Sequence, residues 1–230
     1  MSGVLNPETF LDLVQRLHRE SSIQGDPPEL LSDAVGVNYR LFIWINQAWS
    51  WLQGINPDWH FMHRTDLSFP TVAGQMIYTP TQALVPEGNV SSWKKRTFRM
   101  YPTVTGQSAE IDMTYWAYDE FYASFMRGPL RTSQRPPYNF TIDPSLNIVL
   151  ECPADGYTIT GEYYRAPLSM AVETDTPVGL EVADRMILVY KAMEWYANDE
   201  ASPEVLATSK ELKRILNRLN IRRLTSVMAS

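Results

Sequence analysis

The sequence predicts an α+β protein: a terminal α-helical bundle built from both chain ends, packed together, with an inserted antiparallel β domain. Three observations predict it. Apolar residues recur at helical spacing near each terminus. Between about residues 59 and 165 that periodicity gives way to short runs rich in Thr, Tyr, Phe and Val, punctuated by Pro, Gly and Asp. The 230 residues are 44% hydrophobic and 12% aromatic, enough to bury a core and too apolar for a disordered chain. The expected division is a helical domain of residues 1–58 and 178–230 around a β domain of residues 59–177.

Asn6 is placed to cap the first helix, with Pro7 at its first position and Glu8 near its positive end. Phe10, Leu13, Val14 and Leu17 then form one apolar stripe, which Gly25-Asp26-Pro27 ends. A longer helix is expected over residues 28–52. Leu30, Ala34, Val37, Leu41, Ile45, Ala48 and Leu52 keep a single stripe, and Val35, Phe42 and Trp49 widen it. Asn56-Pro57-Asp58 closes this region.

In the β region, Leu67 and Phe69 alternate with polar neighbours, and Gly74 precedes Met76-Ile77-Tyr78, a hairpin signature. Further strands are expected at residues 97–101, 110–116, 138–142, 147–150 and 157–165. Asp143-Pro144-Ser145 and Ala154-Asp155-Gly156 supply the turns between the last three. A short helix is expected at residues 118–125, followed by an exposed loop, residues 127–137, carrying Arg127, Arg131 and Arg135. Helix returns with Ala183, Met186, Ile187, Tyr190, Met193 and Ala197. Ser202 and Pro203 start a last helix bearing Leu212, Ile215, Leu216 and Leu219.

The formal net charge is −6, but it is unevenly distributed. From Lys210 to the end there are six basic residues and one acid, Glu211, a local +5 that leaves −11 on the preceding 209 residues. An acidic body does not bind nucleic acid nonspecifically. Lys210, Arg214, Arg218 and Arg222 are spaced by four, with Lys213 and Arg223 beside them. That stripe is either a solvated helix face or a docking face for an acidic partner; nucleic acid is a third reading, without an aromatic platform to support it. One cysteine, Cys152, excludes an internal disulfide. The N-terminus lacks the basic and apolar regions of a signal peptide, and no apolar run nears the roughly 20 residues of a membrane span. A chain made in, and kept in, a reducing cytoplasm is the expectation.

No residue pattern points to catalysis, a cofactor or a metal. His60 and His63 lie three apart with no third ligand nearby, so two polar residues at the top of a strand are the plain reading. Cys152 has no base that the sequence can locate. Asp119 and Glu120 are adjacent, so a helix splays them apart rather than converging them, and Glu181 and Asp184 suit a helix's first turn. Phosphate loops, nucleophile elbows and His-Glu-x-x-His are absent. Of the aromatics Trp93, Tyr115, Trp116, Tyr118, Tyr157, Tyr163 and Tyr164, strand alternation lets at most half share a surface.

Several blocks, in order, carry a resemblance. They are residues 9–17 (TFLDLVQRL), 44–49 (WINQAW), 56–61 (NPDWHF), 71–75 (TVAGQ), 161–167 (GEYYRAP) and 187–193 (ILVYKAM), the last followed by a basic helix. The chain resembles the tailed-phage head-to-tail adaptor (connector) family, the tail-tubular-type adaptors. The resemblance implies a structural protein of the virion, not an enzyme and without cofactors. It implies copies arranged in a ring, commonly twelve, beneath the portal. The partners implied are the portal protein, neighbouring adaptor subunits, a downstream tail or nozzle protein, and passing DNA without sequence-specific binding; no membrane is involved. Lys210, Lys213, Arg214, Arg218, Arg222 and Arg223 are then expected at the portal, and Arg127, Arg131 and Arg135 at a neighbouring subunit or tail protein. A carbohydrate-binding or tail-fibre module, and a hydrolase using the β domain, are the alternatives.

Overall fold

The computed structural model describes residues 8–32, 34–199 and 205–228, so the expected caps Asn6 and Ser202, with Pro7 and Pro203, lie outside the described residues. The described elements run α1 (Phe10–Glu20), α2 (Val37–Ile55), β1 (His63–Pro70), β2 (Ile77–Tyr78), β3 (Val90–Trp93), β4 (Arg99–Pro102), β5 (Ile111–Asp112) and β6 (Thr114–Tyr115). There follow α3 (Tyr118–Phe125), β7 (Asn139–Ile142), β8 (Ile148–Leu150), β9 (Tyr157–Arg165), α4 (Met186–Asp199) and α5 (Val205–Met228). They fall into two compact units, residues 1–61 with 167–230, and residues 62–166. The chain is α+β, as its pattern predicts.

In the first unit, α1 begins at Phe10, with Thr9 as its cap. The Thr9 hydroxyl accepts from the Asp12 N–H at 3.2 Å, and the Thr9 N–H donates to the Asp12 carboxylate at 2.8 Å, a reciprocal capping box. Phe10, Leu13, Val14 and Leu17 are buried. The helix expected from residue 28 starts only at Val37 and runs on to Ile55. Gly36, at φ +59°, sits in a conformation that interrupts the helix, and the described residues between 28 and 36 form no helix, leaving Leu30 and Val35 exposed. α1, α2 and α4 pack against one another in pairs, with Phe10 edge-on to Phe42 at 5.3 Å and Trp44 to Tyr196 at 5.7 Å. α5 lies on α4 through buried Leu212, Ile215 and Leu219.

The stretch after β9 belongs to this unit, whereas the sequence pattern sets the boundary eleven residues later, at 177/178. Two amide side chains of α2 hold it there. Asn46 donates to Met170 O at 2.8 Å and accepts from Met170 N at 3.1 Å; buried Gln53 does the same with Leu168, at 2.9 Å each way. Each amide thus pairs with a backbone as a neighbouring strand would. Further along, Phe10 N donates to Asp175 O at 2.7 Å and Leu11 N to Glu173 O at 3.1 Å, satisfying the free N–H groups at the start of α1.

The second unit is two sheets around one core. In the first, β9 is central: β1 runs antiparallel along one edge, while β4 and then β3 share the other, and β5 flanks β4. The second sheet is ordered β2-β8-β7-β6, antiparallel except for the parallel pair β6·β7. Leu67, Phe69, Phe98, Met100, Phe140, Ile148, Leu150 and Ile159 meet between them. Gly161, mid-strand in β9, makes room: a Cβ there would lie 3.2 Å from Leu67 and 3.3 Å from Phe98, which stacks on Phe140 at 4.5 Å. On β1, Thr71 N reaches Tyr157 O, so Leu67, Phe69 and Thr71 face β9. Pro70 therefore falls where its missing N–H would point off the sheet edge, and it blunts that edge.

Two strand expectations need correcting. β1 and β2 form no hairpin; β2 joins the other sheet, against β8. The Thr71 hydroxyl donates to Ala154 O at 2.8 Å and Gly74 N to Pro153 O at 2.8 Å, carrying the chain from one sheet to the other. The single strand expected at 110–116 is split at Met113, which buries its side chain in the core and bonds Phe98 O. β5 and β6 on either side of it belong to different sheets. β3 falls in none of the strands expected from the sequence.

Candidate docking surfaces

Burial fixes which way each basic residue of α5 faces. With Leu212, Ile215 and Leu219 turned to α4, helical spacing puts Lys210 and Arg214 on the opposite side and Lys213 beside them; all three are exposed. Arg214 also pairs with Glu211, one turn back, at 2.8 Å. Arg218 does not share that surface. Its Nε donates to the Asp184 carboxylate at 2.7 Å, a terminal nitrogen contacts the same oxygen, and that nitrogen also donates to Ala183 O at 3.0 Å. The side chains of Arg222 and Arg223 lie outside the described residues.

Asp184 is fully buried, in a short 3-10 turn just before α4 rather than in the solvated first turn of that helix. Burying a carboxylate is costly without charge and hydrogen-bond partners, and Arg218 supplies one. The next residue, Arg185, is buried too. It donates through Nε to Leu180 O at 3.1 Å and through a terminal nitrogen to Glu8 O, and burial pushes its guanidinium below the ordinary arginine value.

α2 carries a second surface. Its inner side buries Leu41, Phe42, Ile45, Ala48, Trp49 and Leu52, whereas Tyr39, Ile43, Gln47, Ser50 and Gly54 lie exposed along one stripe. Arg40 is the single charged residue of this 19-residue helix. A solvated helix ordinarily places charges opposite its buried face, and α2 does not.

In the β unit, α3 projects an aromatic pair. Phe121 is its anchor, fully buried, with Phe125 at 4.9 Å and Trp116 edge-on to Phe125 at 5.4 Å. Tyr118 and Tyr122 point outward, rings 6.2 Å apart, with the Arg127 guanidinium 5.3 Å above Tyr122. With Asp119 and Ala123 they line an open cleft of ≈430 Å³. Arg131 is exposed. Arg135 is turned inward: its Nε is 2.8 Å from the buried carboxylate of Glu151, which also accepts from the Asn139 backbone and side chain at 3.0 Å each. Arg135 therefore holds its loop down onto β7 and β8.

The remaining candidates resolve into structure. His63 and Lys94 share one oxygen of Glu162, at 2.8 and 2.7 Å. Burial raises the Glu162 carboxyl, but the hydrogen bonds and charges of Lys94 and His63 outweigh it and hold the group below its ordinary value. His60 lies edge-on to Phe61. Cys152 is buried. Asp119 and Glu120 are exposed in the first turn of α3. Among the described residues, no three His, Cys, Asp or Glu side chains gather as metal ligands, and no helix is long and apolar enough to cross a membrane. Trp93 and Tyr163 are core residues, and the outward aromatic pair sits on a helix rather than along a sheet face.

The sequence reading missed Asp184 as the partner of Arg218, the amide clamps of Asn46 and Gln53, and the uncharged side of α2. The last was visible in principle, as 17 residues between Arg40 and Asp58 without a charge. A family model described as SU10 adaptor protein matches residues 8–229. No curated protein matches the chain.

Proposed function

We propose, because this chain belongs to the SU10 adaptor protein family of phage head-to-tail adaptors, that it is a ring subunit joining the portal to the tail around the DNA channel. It works by contact and performs no catalysis. The two compact units serve as its helical and β domains.

The observation that carries this reading is the exposed basic side of α5. Lys210, Lys213 and Arg214 are presented by a helix held on α4, while the rest of the chain is acidic. Such a surface suits an acidic portal and draws it in by long-range attraction. The uncharged side of α2 supports side-by-side contact between copies, where exposed charges would be desolvated at a cost. The Tyr118–Tyr122 ledge with Arg127 and Arg131 is the surface offered to the next tail component. The acidic body favours passing DNA that slides and does not adhere.

The test is charge reversal on the exposed face only. A Lys210→Glu, Lys213→Glu, Arg214→Glu variant is expected to keep its melting temperature and to lose portal attachment, and attachment of the wild-type chain is expected to weaken as salt rises. Attachment of the triple variant at wild-type level would remove α5 from the portal contact.

A further inference from the structure

The arginines of the segment after α3 divide into two kinds. Residues 127–134 are exposed throughout, whereas Phe125 and Arg135, on either side of them, are partly buried and meet: the Arg135 guanidinium lies 5.8 Å from the Phe125 ring. A segment whose ends come together in this way is an Ω loop. The contact belongs to a closed circuit. Phe125 meets Trp116 edge-on, Trp116 Nε1 donates to Asn139 Oδ1 at 2.8 Å, and Asn139 Nδ2 donates to Glu151 Oε1 at 3.0 Å. The other Glu151 oxygen pairs with Arg135 at 2.8 Å, which returns the circuit to Phe125. The Arg135 backbone is fixed separately: its N–H donates to Cys152 O at 3.1 Å, and its C=O accepts from Ala154 N at 2.9 Å. That end of the loop is anchored to the chain after β8, and the guanidinium carries the anchorage across to the end of α3.

We propose that Arg135 and Glu151 form a clasp that closes the 125–135 loop, so that Arg127 and Arg131 are presented to a carboxylate-bearing partner surface by a loop already ordered. Charge makes the clasp. Arg135 Nε and Nη2 are buried without a hydrogen-bond acceptor in line, so the guanidinium is held at Glu151 by its ion pair and at Phe125 by the ring. The outward cations have a different task. No acid occurs between residues 121 and 142, so an acidic partner meets attraction along the whole loop. Arg135 and Glu151 are positioning residues, and their effect is that the loop need not be ordered at the moment of binding. The biological meaning rests on the α3 ledge as the surface for the next tail component, but the clasp belongs to the free subunit.

Trypsin cleavage of the native, full-length chain tests it without a partner. Cleavage after Arg127 or Arg131 needs the loop to open and so follows the open population, while Pro136 protects the bond after Arg135. Glu151→Gln keeps the shape and removes the charge; it is expected to raise cleavage at Arg131 about tenfold or more while amides of β8 and β9 stay protected from exchange. Arg135→Met should do the same, whereas Arg135→Lys, which keeps the charge, should stay within about threefold of wild type. In the Glu151→Gln background Arg135→Met should add little, because the pair is already broken. Glu151→Gln cleaved at the wild-type rate, Arg135→Met multiplying its effect in full, or Arg135→Lys as open as Arg135→Met would each overturn the clasp. If Glu151→Gln loosens β8 and β9 too, Phe125→Leu removes the ring and spares the carboxylate; it should open the loop with the sheets intact, and cleavage at the wild-type rate would again overturn the idea. Tail attachment is read apart, with Arg127→Glu and Arg131→Glu together: wild-type attachment would remove the ledge from the tail contact and leave the clasp standing.

Discussion

At the residue scale, several single side chains decide stability in ways their sequence neighbours do not announce. His18 is buried on α1 and its Nε2 has no hydrogen-bond partner. Burial, with Arg19 beside it, holds the imidazole below its ordinary 6.5. The folded state therefore takes up its proton less readily than the unfolded one, so this contribution is whole above about pH 6.5 and is lost as pH falls below it. The melting temperature of the wild type is expected to drop between pH 7 and 5 more steeply than that of His18→Leu; parallel curves would refute the assignment. Gly179 is equally exacting: at φ +78° a Cβ would sit 2.6 Å from Phe61 O, so Gly179→Ala should cost about 2 kcal/mol or more by denaturant titration. Neither was legible beforehand. A histidine in an apolar stripe reads as amphipathic, and a glycine in a proline-rich stretch reads as an ordinary turn. The basic residues of α5 were legible by their spacing, but not that Arg218 faces inward, because its partner lies 34 residues earlier on another element.

At the scale of elements, local chemistry was readable wherever one helical turn or one strand suffices to determine it. The short helix Tyr118–Phe125 and the strand Tyr157–Arg165 stand where their patterns put them. The failures came where tertiary structure overrides pattern. Gly36 stops a stripe that continues on paper, Met113 divides one apparent strand between two sheets, and Asn46 and Gln53 recruit residues 168–170 to a helix. Gln53→Ala is expected to cost about 1 kcal/mol, since it leaves the Leu168 N–H and C=O without these partners in a partly buried setting; an unchanged unfolding midpoint would mean that the clamp is idle. Phe121 is the one buried residue of α3, so Phe121→Ala should release hydrogen-exchange protection across residues 118–125 while β7, β8 and β9 stay protected. Loss throughout the sheets would show instead that α3 is part of the β core.

At the scale of the whole molecule, the sequence conveyed the α+β class and the resemblance to phage adaptors, which the family match over residues 8–229 places beyond chance likeness. What composition could not convey is which surfaces are for contact, because an uncharged helix side and a buried one look alike until burial is known. The proposed division of labour assigns α5 to the portal, the outer side of α2 to the neighbouring copy, and the α3 ledge to the next tail component. The most direct measurement is electron microscopy of this chain mixed with its portal, wild type beside Ile43→Glu. The account predicts a closed ring of wild-type copies on the portal, and Ile43→Glu subunits that fold and bind singly without closing one. A wild-type chain that never forms a ring on the portal, or an Ile43→Glu ring as complete as the wild type, would contradict it.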